Sequence, residues 1–161
     1  MTDLGIAGLV VAFFAAVGAL LGSKHLAAKR ALAKWRPIAD TGLFFLPEQI
    51  DETSLAFAVR RSAFVLFTHG PWQPADVWRA IDKWKISVRP TLKWISEGKL
   101  VAGQTNTAMG VVEVGSDLAA LAHELAHVCE FKLQGFTDDA HKTWASRGLT
   151  WAEKEYLKGP T

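Results

Sequence analysis

The sequence predicts an α+β domain with a short antiparallel sheet, preceded by an amino-terminal transmembrane helix. Three observations predict this class. Residues 4–22 form an apolar stretch without charges, short apolar runs lie between turn residues as in strands, and longer segments carry apolar residues at helical spacing. The 161 residues allow one domain plus an appendage. We expect a membrane anchor with a basic juxtamembrane helix at 1–36 and the folded domain at 37–161.

The composition excludes several classes of protein. Half of the residues are hydrophobic and 21% are charged, which excludes a largely disordered chain. The single cysteine cannot form an internal disulfide bond. The formal net charge of +2 gives no indication of a polyanionic partner, so no nucleic-acid binding is predicted.

The stretch 4–22 predicts an uncleaved anchor in a lipid bilayer. A helix rises about 1.5 Å per residue, so this stretch roughly spans a hydrocarbon core of ~30 Å. A core helix of a soluble domain would show a polar face, and this stretch has none. A cleavable signal peptide would begin with basic residues, whereas this chain begins with Met1, Thr2 and Asp3.

The residues after the apolar stretch predict its orientation. Under the positive-inside rule, the following basic residues place the bulk of the chain on the cytoplasmic side: Lys24, His25, Lys29, Arg30, Lys34 and Arg36. The helix is expected to continue through them and to end before Pro37. Gly18 and Gly22 form one G-xxx-G pair, which would permit self-association of the spanning helix.

The remaining elements are predicted in chain order. A helix is expected over 54–61, and the apolar run 63–68 before Gly70 and Pro71 is typical of a buried strand. Residues 74–85 read as a helix that begins with a proline.

Three strands are expected next. Residues 91–96 and 99–105 flank Glu97 and Gly98 and predict a hairpin, and residues 109–114 predict a third strand. The last helix is expected to run from Asp117 to Gln134, with Ser116 as its cap and Gly135 as its stop.

This last helix contains the pattern H-E-x-x-H at 123–127. Histidines four residues apart on a helix are about 40° apart around its axis, so the imidazoles of His123 and His127 can bind one metal ion. Glu124 can then take a proton from a water molecule that the metal activates. The opposite side of the helix is apolar. Cys129 is expected to be a buried small residue, and Glu130 either an imidazole partner or a solvated carboxylate.

HELAHV after a strand resembles the zincin metallopeptidases. The metzincin continuation, a glycine and a third histidine shortly after the motif, is absent, since residues 128–134 read VCEFKLQ. The arrangement is most similar to small SprT-like and Wss1-like peptidases, in which a histidine follows after a short loop with an aromatic residue behind it. Here these residues are His141 and Trp144. The Gly-Pro pair frequent in those families is missing.

The resemblance implies that His123, His127 and His141 bind Zn²⁺. A thermolysin-type arrangement would instead take Glu153 or Glu155 as the third ligand, and the sequence leaves this alternative open. An exposed strand edge beside the metal could hold an extended peptide or protein substrate.

The sequence therefore predicts a membrane-anchored zinc metallopeptidase that hydrolyses peptide bonds, with Glu124 as its general base. One alternative is a non-catalytic membrane subunit of a complex or virion that keeps the zincin-like scaffold. Another is a cell-wall peptide hydrolase, which would require the domain to face the wall.

Overall fold

A computed structural model of the chain describes residues 34–135 and 151–158. The chain divides into two compact units, Met1–Trp35 and Arg36–Thr161, and every element described below belongs to the second unit. The predicted transmembrane stretch 4–22, the glycine pair within it and His141 lie outside the described residues. Within the described ranges, no helix has the length and apolar character needed to cross a membrane.

Helices and strands occur in separate runs along this unit, which confirms the α+β class. The described residues form four helices, α1 to α4 in chain order: Glu52–His69, Pro74–Ile81, Leu121–Gln134 and Trp151–Lys158. The same residues form seven strands, β1 to β7 in chain order: Arg36–Pro37, Phe44–Phe45, Lys85–Arg89, Trp94–Ser96, Lys99–Val101, Gly103–Asn106 and Val111–Gly115.

Five of the strands form a mixed sheet in the order β1-β2-β3-β7-β6. The two outer pairs are antiparallel, but β2 with β3 and β3 with β7 are parallel. The prediction of a wholly antiparallel sheet is therefore wrong. Its cause is local: the segment expected to complete the helix at 74–85 ends at Ile81, and the missed strand β3 begins at Lys85. This strand supplies both parallel pairings.

The second prediction that the structure overturns is the buried strand at 63–68. These residues belong to α1, an unbroken helix of 18 residues. Leu55, Val59, Ala63 and Leu66 are all fully buried, and their separations of four, four and three residues place them on one helical face. A six-residue apolar run carries too little periodicity to separate a strand from a helix segment.

The hairpin predicted around Glu97 and Gly98 is confirmed. Strands β4 and β5 pair antiparallel, and the two turn residues have φ values of 50° and 76°. Positive φ at both positions of a two-residue turn matches the right-handed twist of the strands. The strand predicted over 99–105 is divided in two. Its first part, β5, ends at Val101, and the chain then continues as β6, which pairs with β7.

The motif helix α3 begins later than predicted. Its first residue is Leu121 rather than Asp117, because Leu118 has a φ of 58° and cannot belong to a right-handed helix. Ser116 does not cap the helix, since its hydroxyl points to the carbonyl oxygen of Pro90. The chain uses these residues to turn from the end of β7 into the helix layer. Gly135, with a φ of 79°, ends the helix as predicted.

The core lies between one face of the sheet and the helices. Burial alternates from residue to residue along β3 and β7. Ile86, Val88, Val112 and Val114 are buried, and the intervening residues are mostly half-buried. Helices α1, α2 and α4 pack against α3. The other sheet face is polar, and there Arg89 and Glu113 form an ion pair at 2.7 Å. Helix α3 is therefore the centre of the helix layer.

Two substitutions in α1 test the helical assignment of 63–68. Leu66 is fully buried and Phe64 is 51% exposed, although residues two apart in a strand would share one face. We expect Leu66→Ala to lower the free energy of unfolding by about 2–5 kcal/mol and Phe64→Ala by about 1 kcal/mol or less. Urea unfolding followed by circular dichroism measures both. Equal losses for the two variants would contradict the helix.

Candidate functional site

Helix α3 is buried on nearly all sides. Leu121, Leu125 and Val128 are fully buried, as predicted for the apolar side of the helix. The opposite side is also largely covered, because Glu124 and Glu130 are only 5% and 6% exposed. His123 and His127 are half-buried. The two histidines thus form the most accessible part of the first ten residues of the helix.

The two imidazoles approach each other through the same type of nitrogen. Nε2 of His123 lies 3.0 Å from Nε2 of His127, and the ring planes are nearly perpendicular at 82°. The spacing of four residues on a regular helix produces this approach, as the sequence predicted. Two neutral imidazoles at this distance can share one hydrogen bond, or both lone pairs can bind one cation.

Glu124 turns towards the sheet edge formed by β6. The hydroxyl of Thr105 donates a hydrogen bond of 2.7 Å to Oε2 of Glu124, and the same hydroxyl lies 3.1 Å from the backbone carbonyl oxygen of Glu124. This contact is tertiary, since the two residues are 19 positions apart. It holds the carboxylate of the motif glutamate against the last strand of the sheet.

The absence of a side chain at Gly103 makes room for that carboxylate. A Cβ atom at this position would lie 2.6 Å from both Cγ and Oε1 of Glu124, closer than real Cβ contacts allow. Gly103 lies opposite Val114 in the β6–β7 register, so it belongs to the face that meets the helices. A glycine within a strand commonly marks such a close approach.

Glu130 lies on the far side of His127 from His123. Its Oε2 is 4.0 Å from Nδ1 of His127, and its side chain is buried. The alternative of a solvated carboxylate is therefore wrong. A histidine that binds a metal through one ring nitrogen typically presents the other to a carboxylate or carbonyl. In His127, Nε2 faces His123 and Nδ1 faces Glu130, at a separation longer than a hydrogen bond.

Cys129 lies in the core rather than in the site. Its side chain is fully buried, as predicted. Burial is the main cause, and the nearby charge of Glu130 the smaller one, of the rise in the pKa of its thiol to about 12. A protonated thiol is neither a nucleophile nor a metal ligand at neutral pH. Cys129 is therefore a small packing residue of α3.

The candidates for a third ligand have different positions. His141 and the side chain of Glu153 lie outside what the structure describes. The carboxylate of Glu155 contacts Nζ of Lys158 at 2.5 Å and Nε2 of His69 at 3.9 Å, and Lys158 lowers the pKa of that carboxyl group. Among the residues described here, no group of three metal-ligating side chains comes together.

Sequence reasoning missed the two β6 residues that contact Glu124. Thr105 was within a predicted strand, and Gly103 carried the one available signal, since glycine in a strand indicates close backbone approach. Neither residue could be assigned to Glu124 without the pairing of β6 with β7.

Comparison of the chain with protein-family models, with curated proteins and with solved structures finds no match.

A double-mutant cycle tests the close approach of Gly103 to Glu124. We expect Gly103→Ala to lower the free energy of unfolding by about 1–3 kcal/mol, because the new methyl group displaces the carboxylate. In a Glu124→Ala background the same substitution should cost less, with a coupling of about 0.5–2 kcal/mol. Urea unfolding of the four proteins measures the coupling. Strictly additive losses would show that the two residues do not meet.

Proposed function

We propose that this chain is a membrane-anchored zinc metallopeptidase, with residues 4–22 as its anchor and the folded unit on the cytoplasmic side. The observation that carries the proposal is the juxtaposition on α3 of two converging imidazoles and a buried glutamate held by the sheet edge. The resemblance of HELAHV to the zincin motif supports the same conclusion. His123, His127 and His141 would bind the metal.

The two described donors fit a zinc ion. Ligand atoms about 2.1 Å from a tetrahedral zinc ion are roughly 3.4 Å apart. The two Nε2 atoms, at 3.0 Å, need only a small rotation of either ring to reach that spacing. Glu124 and Glu130 add negative charge beside the imidazoles, and burial of carboxylates favours a compensating positive charge. A divalent cation between the histidines would supply it.

In this proposal Glu124 performs the proton transfers. Bound zinc would supply Lewis-acid activation of water and of the scissile carbonyl group. The Glu124 carboxylate accepts a proton from the attacking water and later donates it to the leaving amine, so one group acts as base and then as acid. Thr105 holds one carboxylate oxygen, Oε2, and Oε1 is the oxygen nearer Gly103. The hydroxyl thus orients the base before substrate binds.

The position of β6 at the edge of the sheet favours a peptide as the substrate. It is the last strand of the five-stranded sheet in the described residues, with β7 on one side. An extended peptide can pair with such an edge by backbone hydrogen bonds, which require no particular side chains. Since Thr105 and Gly103 of β6 contact Glu124, a peptide along this edge would place its backbone beside the proposed base.

Metal analysis of the purified full chain tests the zinc site. We expect about one zinc ion per chain. The metal should be lost in His123→Ala and in His127→Ala, because each substitution removes one of the two imidazole ligands on the helix. His141→Ala should also release the metal, whereas Glu153→Ala and Glu155→Ala serve as matched controls and should retain it. Retention of the metal in His141→Ala, with loss in one of the glutamate variants, would assign the thermolysin-type ligand set instead.

Glu124→Gln tests catalysis separately from metal binding. The amide keeps the size of the side chain and can still accept a hydrogen bond from Thr105, but it cannot accept the proton of the attacking water. We expect zinc to remain bound while peptidase turnover, measured on an unfolded protein substrate, falls at least ~10²-fold. Unchanged turnover would move the base elsewhere. No turnover by the wild-type protein that binds zinc would favour the non-catalytic scaffold.

A further inference from the structure

We propose that the β4–β5 hairpin makes a second contact with the bilayer, by inserting its outer apolar face into the interface of an anionic membrane. The hairpin is a separate two-stranded sheet, not a continuation of the five-stranded one. This inference rests on the membrane anchoring proposed above and not on the peptidase chemistry. It concerns how the anchored domain is oriented at the membrane.

The two faces of the hairpin have different environments. On the inner face, the hydroxyl of Ser96 hydrogen-bonds the side chain of Gln104 on β6 at 2.5 Å, and the guanidinium of Arg89 lies 4.8 Å from the ring centre of Trp94. These contacts attach the hairpin to the sheet. Ile95 and Leu100 are directly opposite each other in the register, and they alternate with the attached residues. They therefore share the outer face.

This outer face is the most exposed apolar feature of the sheet region. Ile95 is 75% exposed and Leu100 is 69% exposed. Single exposed apolar residues are ordinary on protein surfaces, but a cross-strand apolar pair on a projecting ribbon is a contiguous patch. The type of turn at its tip matches the twist of the two strands and keeps Ile95 and Leu100 in register.

The charges of the hairpin favour an anionic lipid surface as the occupant. Lys93 and Lys99 are both exposed, and Glu97 is the one acidic residue within 91–101. Apolar side chains with flanking lysines are typical of segments that lie in the membrane interface. A pair of apolar side chains is also too small for a stable dimer, which buries about 800 Å² on each partner.

The length of the connection allows the hairpin to reach the membrane. Residues 23–35 join the apolar stretch to the folded unit, and they span about 20 Å as a helix or about 45 Å when extended. A domain of this size has a radius of gyration of about 14 Å. When extended, this connection is longer than the domain is wide, so its length is compatible with contact between the hairpin and the bilayer.

Site-specific fluorescence on the full chain in vesicles tests this contact. With the buried Cys129 replaced by alanine, an environment-sensitive probe is attached at Ile95→Cys or, as a control, at Met109→Cys, which is 67% exposed outside the hairpin. In vesicles that contain phosphatidylserine, a lipid-borne quencher should reduce emission at least ~2-fold more at position 95 than at 109. Circular dichroism verifies that both labelled proteins are folded.

Charge reversal provides the matched variant. Lys93→Glu together with Lys99→Glu should remove most of the difference between the two probe positions, whereas reversal of the exposed Lys83, outside the hairpin, should leave it. Equal quenching at both positions would overturn the proposal. Shielding of position 95 from aqueous iodide without lipid quenching would indicate contact between copies and also overturn it. If the full chain fails to sediment with vesicles, both this inference and the proposed membrane anchor are overturned. Zinc content and turnover test the peptidase proposal independently.

Discussion

The close approach of α3 to the edge strand β6 is the constraint on which the rest of the site depends. Gly103 permits it by lacking a side chain, and Thr105 uses it by donating a hydrogen bond to the Glu124 carboxylate. A side chain at position 103 would displace the Glu124 carboxylate from the sheet edge. The two histidines belong to the same helix, so their position relative to the sheet edge depends on this approach together with the packing of α3 against the other helices.

The burial of α3 distinguishes this site from a pair of incidental surface histidines. With apolar residues buried on one side and acidic residues buried on the other, only the two half-buried histidines remain partly accessible along the first ten residues of the helix. Burying Glu124 and Glu130 is costly unless the surroundings compensate their charge. In our proposal a cation between the imidazoles provides this compensation, and Glu130 faces the ring nitrogen of His127 that such a cation would leave for a partner.

The two layers of the domain separate two kinds of surface. The helices cover the apolar face of the sheet, and the motif helix lies at their centre. The hairpin is attached through polar and cation–π contacts to the opposite, polar face. An exposed apolar pair on that face and a half-buried histidine pair on the helix layer can therefore serve different partners. In our proposals these are a lipid surface and a peptide.

The sequence by itself determined the elements whose signal is local. The spacing of His123 and His127, the stop at Gly135 and the turn at Glu97 and Gly98 each depend on a few neighbouring residues, and the structure has all of them. Only the tertiary structure decided that 63–68 continues a helix and that β3 pairs in parallel with its neighbours. It also decided that Glu124 meets β6. Burial and strand pairing join distant parts of the chain, and a short apolar run is compatible with more than one such partner.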